Sequence, residues 1–276
     1  MTLRVLVPTD FSPAAGKALA VARAAFPDAR PHLLHVAPPR PARSPAGEPA
    51  REREALDALG GGALASGPPA EEVLRCARQG AFDLIVLGKA GPRQSERGAG
   101  PVTERVIRDS PVPVLSVSAA APPVPGSGAR VLLLMDFSPG ALGALDFLRR
   151  SWPDAQIQPL HVVDPGALDT PLALPMLSSP PALRGASTRL LRERNELWER
   201  EARGRLEGLG GGEVAWGPPA EVALDRARRG ECDVIALGTS AKRGLDRLLF
   251  GSVARRIVRE SPVPVLTVSG PLPKPA

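Results

Sequence analysis

Short segments of this 276-residue chain recur in the same order, and no other feature restricts its fold as strongly. Leu6-Val7-Pro8-Thr9-Asp10-Phe11-Ser12-Pro13 returns as Leu132-Leu133-Leu134-Met135-Asp136-Phe137-Ser138-Pro139, 126 residues on. Leu34-His35-Val36 returns at the same offset as Leu160-His161-Val162. Gly67-Pro68-Pro69-Ala70-Glu71 and Asp83-Leu84-Ile85-Val86-Leu87-Gly88 return 150 residues on, and Ser110-Pro111-Val112-Pro113-Val114-Leu115 returns 151 residues on. The step from 126 to 150 marks a 24-residue insertion in the second copy, between its second strand and the helix after it. The step to 151 marks a one-residue difference just after Gly88 and Gly238. Two copies of roughly 120–150 residues each have the usual size of a domain. The chain therefore divides into 1–119 and 129–270, joined by an Ala-, Pro-, Gly- and Ser-rich linker at 120–128.

Within the first copy, apolar runs near 3–8, 31–36, 63–66, 83–87 and 113–118 alternate with helical patterns near 13–26, 51–59, 69–79 and 101–109. Short, continuously apolar strands between helices predict a parallel sheet covered on both faces. Right-handed crossovers then wind it into an open α/β domain. The expected architecture is two tandem doubly wound, Rossmann-like domains. Ser12-Pro13 and Ser138-Pro139 read as an N-cap followed by proline at the first helical position. The triplets Gly60–Gly62 and Gly210–Gly212 read as helix ends.

Aromatic residues make up 3% of the chain and Tyr is absent, so the cores are built from Ala, Val, Leu and Ile, and stacking platforms for single-stranded nucleic acid are lacking. The net charge of +6 comes mostly from basic residues interleaved with acids, as in Arg51-Glu52-Arg53-Glu54 and Arg192-Glu193-Arg194. That pattern reads as solvated helix faces, and nucleic acid is not an expected partner. No run of 18 apolar residues marks a membrane span. The first ten residues read as a strand rather than a signal peptide, which places the chain in the cytoplasm by expectation. Cys76 and Cys232 sit at non-equivalent points without ligand-type spacing, as small buried or half-buried thiols of a reducing compartment do. No metal site is expected.

Ligands of an open parallel sheet bind outside the carboxyl ends of its strands. Asp10 and Asp136 end the first strands, Val36 and Val162 the second, Gly88 and Gly238 the fourth. In the second copy, Gly251 and Ser252 open a helix whose N-terminal N–H groups and dipole suit a phosphate. Lys242, Arg243 and Arg247 add positive charge nearby. A tight connection without a ligand explains such a loop equally well. An Asp before Ser-Pro is also a good turn former, and both roles stay open for Asp10 and Asp136. His35 and His161 lie on strands without a catalytic neighbour at a telling spacing and read as core or supporting residues; His32 has no counterpart.

Taken together, these segments resemble the universal stress protein family. Its ATP-binding members carry a strand-one Asp, a strand-two His-Val, Gly-x2-Gly-x9-Gly-Ser after strand four, and a terminal strand like Ser-Pro-Val-Pro-Val-Leu. The resemblance covers nearly the whole chain. It implies an adenine nucleotide alpha hydrolase-like fold and an ATP ligand, with Mg brought by the nucleotide. Asp136 and the Val162 backbone would hold adenine; Gly238, Thr239, Ser240 and Ala241 would wrap ribose and phosphates; Gly251, Ser252 and Val253 would contact the phosphates. Ala241 stands where the family has its second glycine. If that position needs positive φ, the alanine costs about 1–2 kcal/mol, roughly tenfold in affinity. The first copy keeps Gly88 and Gly91, but eight residues rather than nine separate Gly91 from Gly100, and Pro101 replaces the serine, removing an N–H and a hydroxyl. Pro8, Thr9, Asp10, Val36, Gly88, Gly91, Gly100 and Val102 would then form a weaker second site. Family dimers pair through their terminal strands, so Val112–Ser118 would lie against Val263–Ser269 in an intramolecular pseudo-dimer. A further homodimer of whole chains is left open.

No nucleophile elbow, Walker lysine motif or metal-ligand cluster is present. No residue carries a catalytic role, and slow ATP hydrolysis is the most that is expected. The insertion at about 165–187, leading into a charged helix Thr188–Leu209, reads equally as a flexible lid or protein-partner loop and as a spacer. Three functions remain in order: an ATP-binding stress or signalling module, a nucleotide-independent scaffold with relic motifs, and a weak ATPase. Asp136 with Gly251-Ser252 favours the first; Ala241 and Pro101 favour the second.

Overall fold

Val5 and Val7 of β1 (Arg4–Thr9) are buried in one core layer and Leu6 in the other, as the two-residue period of a strand requires. The same alternation runs through the neighbouring strands, so helices must cover both faces. The structure, a computed structural model, describes residues 3–37, 48–89, 100–164, 181–239 and 251–270. The first repeat continues through α1 (Pro13–Ala25), β2 (Arg30–Ala37), α2 (Glu48–Ala58), β3 (Ala63–Ser66), α3 (Pro69–Gln79), β4 (Leu84–Gly88), α4 (Pro101–Asp109) and β5 (Val114–Val117). The second runs through β6 (Arg130–Leu134), α5 (Pro139–Ser151), β7 (Gln156–Val163), α6 (Pro181–Gly208), β8 (Glu213–Trp216), α7 (Pro219–Arg228), β9 (Val234–Gly238), α8 (Ser252–Glu260) and β10 (Val265–Val268).

The ten strands among the described residues join one sheet in the order β3-β2-β1-β4-β5-β10-β9-β6-β7-β8. Every pairing is parallel except β5 with β10, where Leu115 lies opposite Leu266. This antiparallel seam joins the two repeats through the terminal strands, the pairing that the family resemblance implies. Ser116 Oγ donates to the Val265 carbonyl at 3.3 Å, and Thr267 Oγ1 to the Val114 carbonyl at 3.2 Å. One face carries α1, α2, α5 and α6, the other α3, α4, α7 and α8. The α1 face of the core is continuous across the seam. There Phe26 and Trp152, at the same position of the two repeats, meet in a tilted contact with ring centroids 4.9 Å apart. Ala121 and Val124 of the linker are buried in that same layer, so the connection packs as part of the core.

Local signals explain the helix ends. Ser12 Oγ accepts from Ala15 N and Ser138 Oγ from Ala141 N, both at 3.2 Å, ahead of Pro13 and Pro139. Gly60, Gly61, Gly210 and Gly211 all take positive φ after α2 and α6, the conformation that ends a helix at least steric cost. One expectation needs correction: α6 begins at Pro181, so 181–187 is helix rather than part of an irregular insertion. The good helix formers Ala182, Leu183, Arg184 and Ala186 outweigh the lone Gly185 there. Residues 165–180 of that insertion lie outside the described residues. No helix among the described residues is long and apolar enough to cross a membrane.

Candidate functional site

The strand order reverses between β1 and β4 in the first repeat, and between β6 and β9 in the second. A parallel sheet opens a crevice beyond the carboxyl ends of its strands at such a point. Thr9 and Asp10 leave β1 there, and Gly88 and Lys89 leave β4. Asp136 leaves β6, and Gly238 and Thr239 leave β9; the register Leu134 to Leu237 sets those two ends side by side.

The Asp turn is built on the same pattern twice, with one extra bond in the first repeat, Phe11 N–H to Thr9 Oγ1 at 3.1 Å. Asp10 Oδ1 accepts from Ser12 N at 3.0 Å and Asp136 Oδ1 from Ser138 N at 2.9 Å. Between them, Phe11 and Phe137 sit at φ of 59° and 58°. Left-handed backbone at a bulky residue is strained, and the surroundings hold it. His35 Nδ1 donates to the Thr9 carbonyl at 2.8 Å, and His161 Nδ1 to the Met135 carbonyl at 2.7 Å. Each imidazole packs on the turn phenylalanine, with centroids 4.5 and 5.1 Å apart. The histidines therefore brace the strand end that presents the aspartate. Both aspartates are exposed and make the turn bond, so turn formation and presentation to a ligand are compatible.

In the first repeat a cavity of about 230 Å³ lies at this point. Pro8, Thr9, Asp10, Val36, Gly88, Gly100 and Val102, all expected at a site, line it together. Gly91 lies outside the described residues. Residues not anticipated from the sequence also line it: Leu34, Val73, Leu87, Lys89 and Thr103. Lys89 is 4% exposed; its Nζ donates to the Ser261 carbonyl of the other repeat at 2.8 Å, and burial lowers its pKa to about 8. The signal available for it was a lysine where the second repeat has Thr239. Gly100 N closes the loop neck on the Lys89 carbonyl at 2.8 Å, and Thr103 Oγ1 donates to the Gly88 carbonyl at 3.1 Å.

The two helix N-termini differ. In α8 the first helical bond is Arg255 N to Gly251 O, leaving the N–H groups of Ser252, Val253 and Ala254 without a helical partner. In α4 the first bond is Glu104 N to Gly100 O, and Pro101 contributes no N–H. The second repeat thus brings Asp136, Gly238, Thr239, Gly251, Ser252 and Val253 to strand and helix ends, with Val162 on neighbouring β7. Ser240 and Ala241 lie outside the described residues, as do Lys242, Arg243 and Arg247. Gly88 and Gly238 have a packing reason of their own. A Cβ on Gly238 would meet Ala141 N at 2.4 Å, and one on Gly88 would meet Ala15 N at 2.9 Å. The close approach that requires glycine is to the first turn of α5 or α1.

The sequence matches the universal stress protein family twice, over residues 1–118 and 129–269. The chain belongs to that family. A universal stress protein of Methanocaldococcus jannaschii is 41% identical over 59 residues, 21% of this chain and 35% of that relative; the match therefore spans about a third of the relative's length. A solved universal stress protein of Archaeoglobus fulgidus superposes with a TM-score of 0.61 at 20% identity, over 96% of this chain and 97% of the other. A putative universal stress protein of Pseudomonas aeruginosa gives 0.58 at 16% identity, over 97% and 93%. At these identities the two structures establish the shared fold. In this universal stress protein, no group of three or more His, Cys, Asp or Glu that could hold a metal occurs among the described residues. Burial raises the pKa of Cys232 to about 11 and also raises that of Cys76, which removes both thiols from easy ionisation.

Proposed function

We propose that this universal stress protein is an adenine-nucleotide-binding module for stress signalling in the cytoplasm, with ATP held mainly in the second repeat. The observation that carries the reading is the α8 N-terminus: three N–H groups without a helical partner, followed by Arg255 (Arg256 is engaged by Glu221 and Glu260), on the helix that follows β9, whose end lies beside the end of β6 that leads into Asp136. Such an end combines donors with a positive dipole and a cationic side chain, the ingredients that hold a phosphate. Ser252 adds a hydroxyl, and the exposed Asp136 supplies an acceptor for an amine or a ribose. Ser240 and Ala241 would complete the ribose and phosphate contacts, with Ala241 weakening them. A divalent ion such as Mg would arrive with the nucleotide. No residue is assigned a catalytic role; ATP acts as a bound signal that biases the protein's conformations.

Calorimetric titration of the nucleotide-stripped chain with Mg-ATP tests this. About one site per chain, weakened by Asp136→Asn or Gly251→Ala, supports the reading. Absence of binding at millimolar ATP turns it to a nucleotide-independent scaffold. Pro101 at the first position of α4 favours that second reading for the first repeat alone.

A further inference from the structure

We propose that the cavity of the first repeat takes an uncharged purine nucleoside and rejects its phosphates, so that the two repeats respond to different members of the adenine pool. The inference rests on the adenine-nucleotide reading and concerns what this chain has changed.

Four features remove phosphate binding from this cavity. Pro101 leaves α4 with the N–H groups of Val102 and Thr103 only, one fewer than α8 presents. Glu104 stands in the first turn of α4 where Arg255 stands in α8, so the charge at that place is reversed. The Thr103 hydroxyl at the cavity wall donates to the Gly88 carbonyl rather than inward. Among the described residues the one cation lining the cavity is Lys89, and its Nζ donates to the Ser261 carbonyl of the other repeat. A phosphate here would face Asp10 with two N–H donors of the helix end in place of three and with Glu104 on the helix behind them, and like charges at close range are unfavourable.

What remains suits a flat neutral ligand with a polar edge. Leu34, Val36, Val73 and Leu87 give the cavity apolar walls, and Asp10 with Thr9 gives one polar corner for an exocyclic amine or sugar hydroxyls. Its volume, about 230 Å³, lies below the roughly 300–1,000 Å³ of pockets for drug-sized ligands. A base with its sugar fits that scale better than a full triphosphate.

The test uses the full nucleotide-stripped chain, titrated with adenosine and with Mg-ATP. The second repeat is silenced by Asp136→Asn, which removes its polar corner for base and sugar, together with Ser252→Pro and Arg255→Glu, which give it the first repeat's turn. The silenced protein is expected to bind adenosine at one site, to lose it on Asp10→Asn, and to bind ATP at least tenfold more weakly than adenosine. Adding Pro101→Ser with Glu104→Arg is expected to narrow that gap tenfold or more while adenosine binding persists, which also shows that the variant is folded. Equal affinity for ATP and adenosine in the silenced protein overturns the proposal, and so does absence of adenosine binding there. If the unaltered chain still binds ATP through Asp136 in that last case, only this inference is lost. If it binds neither ligand, the nucleotide reading fails with it.

Discussion

Lys89 Nζ donates to the Ser261 carbonyl at 2.8 Å, tying the residue after β4 in one repeat to the end of α8 in the other. The reverse contact uses a different side chain: Ser269 Oγ donates to the Ser110 carbonyl, at the end of α4, at 2.9 Å. Each repeat thus covers the last carbonyl of the other's helix. A cation suits a helix C-terminus, but this one is buried.

That burial makes stability depend on pH. In the fold the Lys89 pKa is lowered to about 8, against an ordinary value of 10.5. Below about pH 8 both states hold the proton, and the folded chain carries the full penalty of a buried charge. Between about 8 and 10.5 the unfolded chain binds more protons, so stability rises with pH. The gain by the upper end is roughly 2–4 kcal/mol. Lys89→Met titrates nothing, so wild type should gain on this variant by that amount between pH 7 and pH 10.5 in urea unfolding. A pH-independent difference would show that the amine is solvated in the folded protein.

Trp152 meets Phe26 in a tilted contact within the continuous core layer, yet its Nε1 is buried without a hydrogen-bond partner among the described residues. Truncation to alanine removes this ring contact and leaves a cavity, at a cost of about 3–5 kcal/mol. Trp152→Phe keeps an aromatic ring there and removes the unpaired N–H, which itself costs about 1–3 kcal/mol. The phenylalanine variant should unfold within about 1 kcal/mol of wild type in urea. A loss as large as that of alanine would mean that the N–H has a partner in solution.

The Asp turns separate folding from binding. Asp136→Ala loses the acceptor for Ser138 N and should cost about 1 kcal/mol. Asp136→Asn keeps a side-chain oxygen for that bond, and its thermal midpoint should stay close to wild type. If nucleotide affinity falls in both variants, the carboxylate contacts ligand. Unchanged affinity in Asp136→Asn would leave the residue a turn former only.

The repeat made most of this fold legible, because short apolar strands between capped helices permit few other packings. The seam between β5 and β10 was expected from the resemblance to the family, whose dimers pair through their terminal strands, and the apolar Val114-Leu115 and Val265-Leu266 support a paired edge there. Other features were not. The contact of Lys89 with Ser261 spans 172 positions and exists only because the seam brings the repeats together. The start of α6 at Pro181 was hidden by a Pro- and Ser-rich stretch that reads as loop. The positive φ of Phe11 and Phe137 has no local signal at all, since the residue type argues against it; His35 and His161 impose it from another strand.

Two glycines of the second repeat should respond in opposite ways to alanine. At Gly238 the added Cβ meets Ala141 N at 2.4 Å and the Gly140 carbonyl carbon at 2.7 Å. Both are backbone atoms of α5, so strand and helix must separate, at a cost of about 1–3 kcal/mol or more. At Gly251 the φ is −57° and no atom among the described residues lies within 4 Å of the new Cβ. Alanine is a poorer N-cap than glycine, and that variant should lose no more than about 1 kcal/mol. Loss of ATP binding in Gly238→Ala therefore says little about ligand contact, because the fold changes too. Loss in Gly251→Ala, with the urea midpoint nearly kept, would place the phosphate against the start of α8. Full affinity in Gly251→Ala would move the phosphate away from that helix.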